Sequence, residues 1–158
     1  AKLASGIAPV AEFLCRGIPV AVGTDGAASN NCLDMFREMF LVTGLSKLRE
    51  RDASAVPAKQ VLRMATVGGA RAMGLKECET LTPGQKADLI MIDLHQPNMH
   101  PLSDPEKNLV YSGSKQNVCL TMVDGKILYE NGRFRTAVDP ELIYEKAEEI
   151  LRETAAAQ

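Results

Sequence analysis

Tryptophan is absent from this chain of 158 residues, and aromatic residues together make up only 4% of it. That excludes the aromatic platforms on which single-stranded nucleic acids stack. Charge of one sign is not in excess either. Eighteen Lys and Arg stand against 20 Asp and Glu, for a formal net charge of -2. Such a balance carries no basic footprint for nucleic acid or for an anionic membrane. No apolar run approaches the roughly 18 residues of a membrane span, and no stretch reads as a secretory signal, so a cytoplasmic protein is expected. The four cysteines, Cys15, Cys32, Cys78 and Cys119, form no C-x-x-C pair. They are expected to be small buried hydrophobes in a reducing compartment.

Histidine is scarce as well. His95 and His100 are the only two, and they fall in a Pro-containing stretch. Their H-x4-H spacing does not match the i, i+4 pairing of a helical metal site. H-x-E with P-C-x-x-C does not occur, which excludes the deaminase zinc fold that uses cysteine ligands. Neither G-x-G-x-x-G nor a Walker pattern is present. Gly68-Gly69-Ala70-Arg71 sits inside a helical pattern rather than opening an anion loop.

What is present suits a globular protein: 46% of residues are hydrophobic and 24% charged. The length fits one domain or two small pieces. Ile7 to Arg16 reads as a short helix, with Ile7, Val10, Ala11 and Leu14 on one face, Pro9 in the first turn and Gly17 as a stop. Pro19 to Gly23 is a continuous apolar run, the pattern of a strand covered on both faces. Helix, tight loop and buried strand make one unit of an α/β fold with a parallel sheet. Leu33 to Lys47 is a second amphipathic helix, with Met35, Phe36, Met39, Phe40 and Leu45 as its apolar positions. Asn31 is its candidate N-cap and Asp34 lies in its first turn. A charged connector over 49–58 leads into a helix from Pro57 to Met73, where Gly68-Gly69 marks a break or a close approach to a neighbour.

The character changes near Gly74. A Pro83-Gly84 turn precedes a strand from Asp88 to Leu94, and a long loop from His95 to about Asn117 follows. Two strands joined by Asp124-Gly125 come next, a strong hairpin signal, with a second turn at Asn131-Gly132. The tail from Asp139 to Ala156 is a Glu- and Lys-rich helix with a solvated face, capped by Asp139 and started by Pro140. The expected division is an α/β portion over 1–73 and a mainly β portion with a C-terminal helix over 74–158.

Asp25 is the strongest candidate for chemistry. It follows the apolar run directly, between Gly23-Thr24 and Gly26. In α/β barrels, functional side chains project from the C-terminal ends of strands. A carboxylate there can bind a divalent metal and take a proton from an attacking water. The competing role is a simple Gly-Thr-Asp-Gly turn. Ser29, Asn30 and Asn31 form a polar cluster placed to line a pocket, with helix capping as the competing role, strongest for Asn31.

Taken together, Ala21-Val22-Gly23-Thr24-Asp25-Gly26-Ala27-Ala28-Ser29-Asn30-Asn31, with Leu33-Asp34-Met35 after it, resembles the eighth-strand region of the amidohydrolase superfamily. The nearest subgroup is that of the 5-methylthioadenosine/S-adenosylhomocysteine deaminases, within the aminohydrolases and triazine chlorohydrolases. Lys2-Leu3-Ala4-Ser5-Gly6, followed by Ala8-Pro9-Val10, resembles the subgroup's loop and helix before that strand. Gly74-Leu75, Leu81-Thr82-Pro83-Gly84-Gln85-Lys86-Ala87-Asp88-Leu89 and Val123-Asp124-Gly125-Lys126 resemble the family's small β-sandwich.

The resemblance implies a (β/α)8 barrel of the metal-dependent hydrolases, with a β-sandwich built from both chain ends. It implies one metal, usually zinc, held by an H-x-H after strand one, by histidines after strands five and six, and by an Asp after strand eight. Asp25 matches that Asp. In the family it binds metal, deprotonates the water and passes the proton to the leaving amine. Asp25, Ser29 and Asn30 are then the expected substrate-binding residues, and a purine nucleoside the expected substrate.

This chain departs from the pattern by having no H-x-H and no histidine before Asp25. It is expected to be the C-terminal portion of a longer enzyme, inactive alone, whose partner is the remaining N-terminal part of the barrel. Self-association is also expected, because a partial barrel exposes strand edges. Guanine deamination and triazine dechlorination are the alternatives within the fold, and a non-catalytic structural or binding module is the alternative outside it.

Overall fold

The computed structural model describes residues 3–156. Lys2, at the head of the opening motif, lies outside the described residues. Six α-helices are described: α1 (Val10–Cys15), α2 (Met35–Glu50), α3 (Ala58–Arg63), α4 (Gly69–Ala72), α5 (Pro105–Tyr111) and α6 (Pro140–Ala156). Four strands, β1 (Leu89–Ile92), β2 (Val118–Val123), β3 (Lys126–Glu130) and β4 (Arg133–Phe134), form an antiparallel meander in chain order. No helix among the described residues is long and apolar enough to cross a membrane.

The core lies between α1, α2, α3 and α5. Val10, Phe36, Met39, Val56, Ala58, Val61, Met64 and Val110 form one buried cluster. Burying a side chain of this size contributes about 1.5–3 kcal/mol relative to leaving it in water. Val110 comes from α5, beyond the expected division at residue 74, so the core draws on both portions of the chain.

Helix α2 begins at Met35 because Asp34, not Asn31, is its cap: the Asp34 carboxylate accepts the Phe36 amide at 3.0 Å. The buried stripe of α2 is Phe36, Met39, Thr43 and Ser46. It is rotated from the expected face, and Phe40 is half exposed. Thr43 takes a fully buried place because its hydroxyl donates to the Val56 carbonyl at 2.8 Å, which satisfies both groups and ties the connector down.

Pro19 to Gly23 does not form the expected strand. Among the described residues no strand pairs with it, and the sheet that exists is antiparallel rather than parallel. Val20 and Val22 are half buried against the core, while Ala21 and Gly23 are exposed. The run is therefore covered on one face. Its apolar composition suits cover on two, but only the helical side supplies a neighbour here. That neighbour is a π-helical turn, Met64–Gly68, between α3 and α4. The Val22 amide donates to the Met64 carbonyl at 3.3 Å. A Cβ on Gly68 would stand 2.7 Å from the Val20 carbonyl oxygen, so only glycine permits this approach. The expected break at Gly68-Gly69 and the expected close packing are both present.

The long loop predicted after His95 contains a helix. The start of α5 is set by the Asp104 side chain, which accepts the Lys107 amide at 3.2 Å, and by Pro105 at the first position. The hairpin turns form as expected. Asp124 and Gly125 have φ of 50° and 75°, and Asn131 and Gly132 have φ of 47° and 83°, as a two-residue turn with two positive φ angles requires. Asp88 braces the first turn by accepting the Asp124 amide at 2.5 Å. In α6 the Asp139 carboxylate accepts the Glu141 amide at 3.1 Å, which makes it the cap predicted for that helix. The cysteines are free thiols and are not the buried hydrophobes expected: Cys15 is exposed and the other three are half buried.

Candidate active site around Asp25

The apolar run delivers Asp25 to the mouth of a cavity of about 310 Å³. Ser29, Asn30 and Asn31 line the same cavity, together with Arg37 and Glu38 from the first turn of α2. The structure therefore brings together the three predicted site residues and the polar cluster around them. His95 and His100 are not part of it. Their rings meet edge to face at 5.6 Å in the segment before α5.

The loop is built from short-range bonds. The Asp25 backbone has φ of 60°, a left-handed conformation that Asp tolerates better than most residues. Its Oδ1 accepts the Gly26 amide at 2.6 Å. The Gly26 carbonyl accepts the amides of Ser29 and Asn30 at 3.1 and 2.8 Å and the Ser29 hydroxyl at 3.1 Å. Hydrogen bonding from the Ser29 side chain first, and from the Gly26 amide second, holds the Asp25 carboxyl below its ordinary range. A hydroxyl has one proton to give, and rotation about its C–O bond turns that proton from the Gly26 carbonyl to the carboxylate. Asp25 is exposed and ionised at neutral pH, the state required of a metal ligand or a proton acceptor.

The far end of the loop is held from a distance. Lys115 donates from its Nζ to the Cys32 carbonyl at 3.2 Å, and its backbone amide reaches Asp34 Oδ2 at 3.4 Å. Glu38, Arg37 and Lys115 were not singled out by sequence reasoning. An acidic residue in the first turn of α2 was the available sign for Glu38; nothing local marks Lys115.

One oxygen donor is not a metal site. Structural and catalytic zinc sites take about three or more protein ligands, and among the described residues no group of three His, Cys, Asp or Glu side chains is arranged to hold a metal. Asp25 fits such a site as one ligand, and the described residues do not complete it.

The model of the amidohydrolase family matches residues 1–128. The chain is 52% identical over 133 residues to a 5-methylthioadenosine/S-adenosylhomocysteine deaminase of Nitratidesulfovibrio vulgaris, covering 84% of this chain and 30% of that protein. It is 46% identical over 155 residues to a 5'-deoxyadenosine deaminase of Methanosarcina mazei, covering 98% of this chain and 35% of that one. A crystal structure of an adenosine deaminase from Xanthomonas campestris with bound zinc superposes with a TM-score of 0.93 at 33% identity, over 98% of this chain and 35% of that chain. The chain thus spans about a third of the length of the curated relatives it matches. With a family model covering most of its residues and a loop geometry that presents Asp25 at a polar cavity, the chain belongs to the amidohydrolase family.

Proposed function

We propose that this chain is part of a cytoplasmic, zinc-dependent aminohydrolase that removes the amino group of an adenosine-type nucleoside such as 5-methylthioadenosine or S-adenosylhomocysteine. The observation that carries the reading is the ionised Asp25 carboxylate, held by Gly26 and Ser29 at the mouth of a polar cavity. In this reading Pro19 to Gly23 is the eighth strand of a (β/α)8 barrel, residues 1–73 belong to that barrel, and residues 74–158 belong to a β-sandwich with a C-terminal helix. The one-sided cover of the run supports this, since a barrel strand would find its sheet partners in residues beyond this chain. Those residues would also supply the histidine ligands. The chain alone is then inactive, and its unpaired edges and exposed apolar faces favour association with the rest of the barrel or with copies of itself.

Bound zinc would supply Lewis-acid and water-activating chemistry. Asp25 would offer it one oxygen. In the reaction, Asp25 takes a proton from the water that adds to the purine carbon bearing the amino group, and returns it to the departing nitrogen, so that ammonia leaves. A carboxylate held below its ordinary pKa is in the accepting form throughout the neutral range. Ser29 and Asn30 stand on the wall that the nucleoside would meet.

In the complete protein, Asp25→Asn should lower kcat for ammonia release by about 10²–10⁴-fold, the range that a general base contributes. The melting temperature should stay within a few degrees. Retention of more than a few per cent of activity would exclude the proton-carrier role. Guanine and a chlorotriazine, assayed beside 5-methylthioadenosine and S-adenosylhomocysteine, test the substrate class separately. Faster turnover of either would replace the nucleoside reading while leaving Asp25 its role.

A further inference from the structure

We infer that Asn30 is a positioning residue, which sets the peptide that carries Asp25 by bolting it to Glu38 on helix α2. The inference rests on the reading of Asp25 as proton carrier. It assigns Asn30 a task other than contact with the nucleoside.

The bonds of Asn30 are the reason. An asparagine amide has two N–H donors and one acceptor oxygen. Nδ2 donates to the Thr24 carbonyl at 2.8 Å and to Glu38 Oε1 at 2.7 Å. Oδ1 accepts the Cys32 amide at 3.1 Å. Both donors are engaged inside the protein, and the side chain is partly buried, so it has no proton left to offer a substrate. Ser29 is different: its hydroxyl can turn.

The Thr24 carbonyl belongs to the peptide unit that ends at the Asp25 nitrogen. Holding that oxygen holds the plane from which φ of Asp25 is measured, and that φ is 60°. The left-handed region is narrow for a residue with a Cβ, so a small rotation of this peptide swings the carboxylate across the cavity mouth. Glu38 makes the anchor rigid. It lies one turn into α2, and its own amide donates to the Asp34 carbonyl at 3.1 Å. Asn30 thereby connects three parts: the peptide before Asp25, the descending half of the loop at Cys32, and a helix whose neighbours Phe36 and Met39 are locked in the core. Displacements of about 1 Å in a reacting group cost about 100-fold in rate, so an anchor of this kind acts on turnover rather than on affinity.

The test uses the complete protein with four variants. Asn30→Ala removes all three bonds. Asn30→Asp keeps the acceptor for the Cys32 amide, loses both donors and sets a carboxylate against Glu38. Glu38→Ala removes the anchor without touching the loop, and Glu38→Gln keeps an acceptor oxygen in its place. Expected are a kcat lower by about tenfold or more in both Asn30 variants and in Glu38→Ala, with KM for 5-methylthioadenosine within about twofold. Glu38→Gln should recover most of what Glu38→Ala loses. Amide hydrogen exchange over residues 24–32 should quicken by about tenfold or more in Asn30→Ala, with exchange in α2 and α3 unchanged. A raised KM with kcat kept would make Asn30 a substrate contact and overturn the inference. Unchanged exchange in the loop would overturn it too, whatever the kinetics. Should Asp25→Asn itself retain activity, the proton-carrier reading fails on that variant, and the exchange experiment still decides whether Asn30 holds the loop.

Discussion

Helices α2, α3 and α5 bury Phe36, Met39, Val61 and Val110 to 5% exposure or less, whereas strands β1 to β4 and helix α6 contain no fully buried residue. Both regions have apolar side chains to bury. Met91, Phe134, Ile143 and Leu151 remain 53–69% exposed, and each belongs to a regular element, β1, β4 or α6. The inner strands β2 and β3 are paired on both sides and α6 is satisfied by its own turns, so neither needs a buried side chain to close its hydrogen bonds. Formation of an element and burial of its apolar face are therefore separate outcomes, and only the helical region achieves both within these residues. Asp25 and its loop stand on the region that does. The site is anchored to packed helices, and Lys115, in the short turn that precedes β2, closes its far end.

The largest stability effect should fall in the helical core. Met39→Ala is expected to cost about 2–5 kcal/mol, the range for buried Met, Leu and Ile truncations, read as a shift of the denaturant midpoint at unchanged slope. Gly68→Ala comes next, at about 1–3 kcal/mol, because the new Cβ would collide with the Val20 carbonyl. Gly69→Ala, one residue on and with no atom nearer than 4.0 Å, should instead stabilise by up to about 1 kcal/mol. Equal effects at the two glycines would mean that the apolar run before Asp25 is not seated on the π turn.

The sheet region has one chemical probe. Cys78 donates from its thiol to Asp88 at 2.9 Å, and this bond, with burial and the carboxylate's charge behind it, pushes the thiol up to about 11. A raised thiol pKa keeps the protonated form as pH rises through 8, so only about 0.1% is the reactive thiolate there. Iodoacetamide at pH 8 should modify exposed Cys15 well before Cys78, and Cys78 should gain reactivity as pH approaches 11. Rapid labelling of Cys78 at pH 8 would show that the Asp88 brace is open in solution. The smallest effect is expected at Leu151→Ala in α6, within about 0.5 kcal/mol. A cost like that of Met39→Ala would mean that the outer face of α6 is covered, and the contrast between the two regions would disappear.

Much of this molecule was legible in short windows. Asp124-Gly125 and Asn131-Gly132 dictate two-residue turns because few other residues accept two positive φ angles. Asp139-Pro140 starts α6 for equally local reasons. Asp104-Pro105 carries the same signal for α5, inside a Pro-containing stretch whose other residues favour a loop. The buried face of α2 was less readable: hydrophobicity favours Phe40, yet Thr43 is inside because the Val56 carbonyl requires a donor there.

The candidate site divides in the same way. That Asp25 closes an apolar run between glycines and is followed by Ser29 and Asn30 was determined by the sequence itself, since these are relations within a few residues along the chain. The caps, the hairpin turns and the family motif belong to that class. Only the tertiary structure decided that the run would be covered on one face, that Asn30 would join the Thr24 carbonyl to Glu38, and that Lys115 would close the loop from 83 positions away. These depend on which surfaces meet once helices pack, and a contact between distant residues leaves no trace in the local pattern of either one.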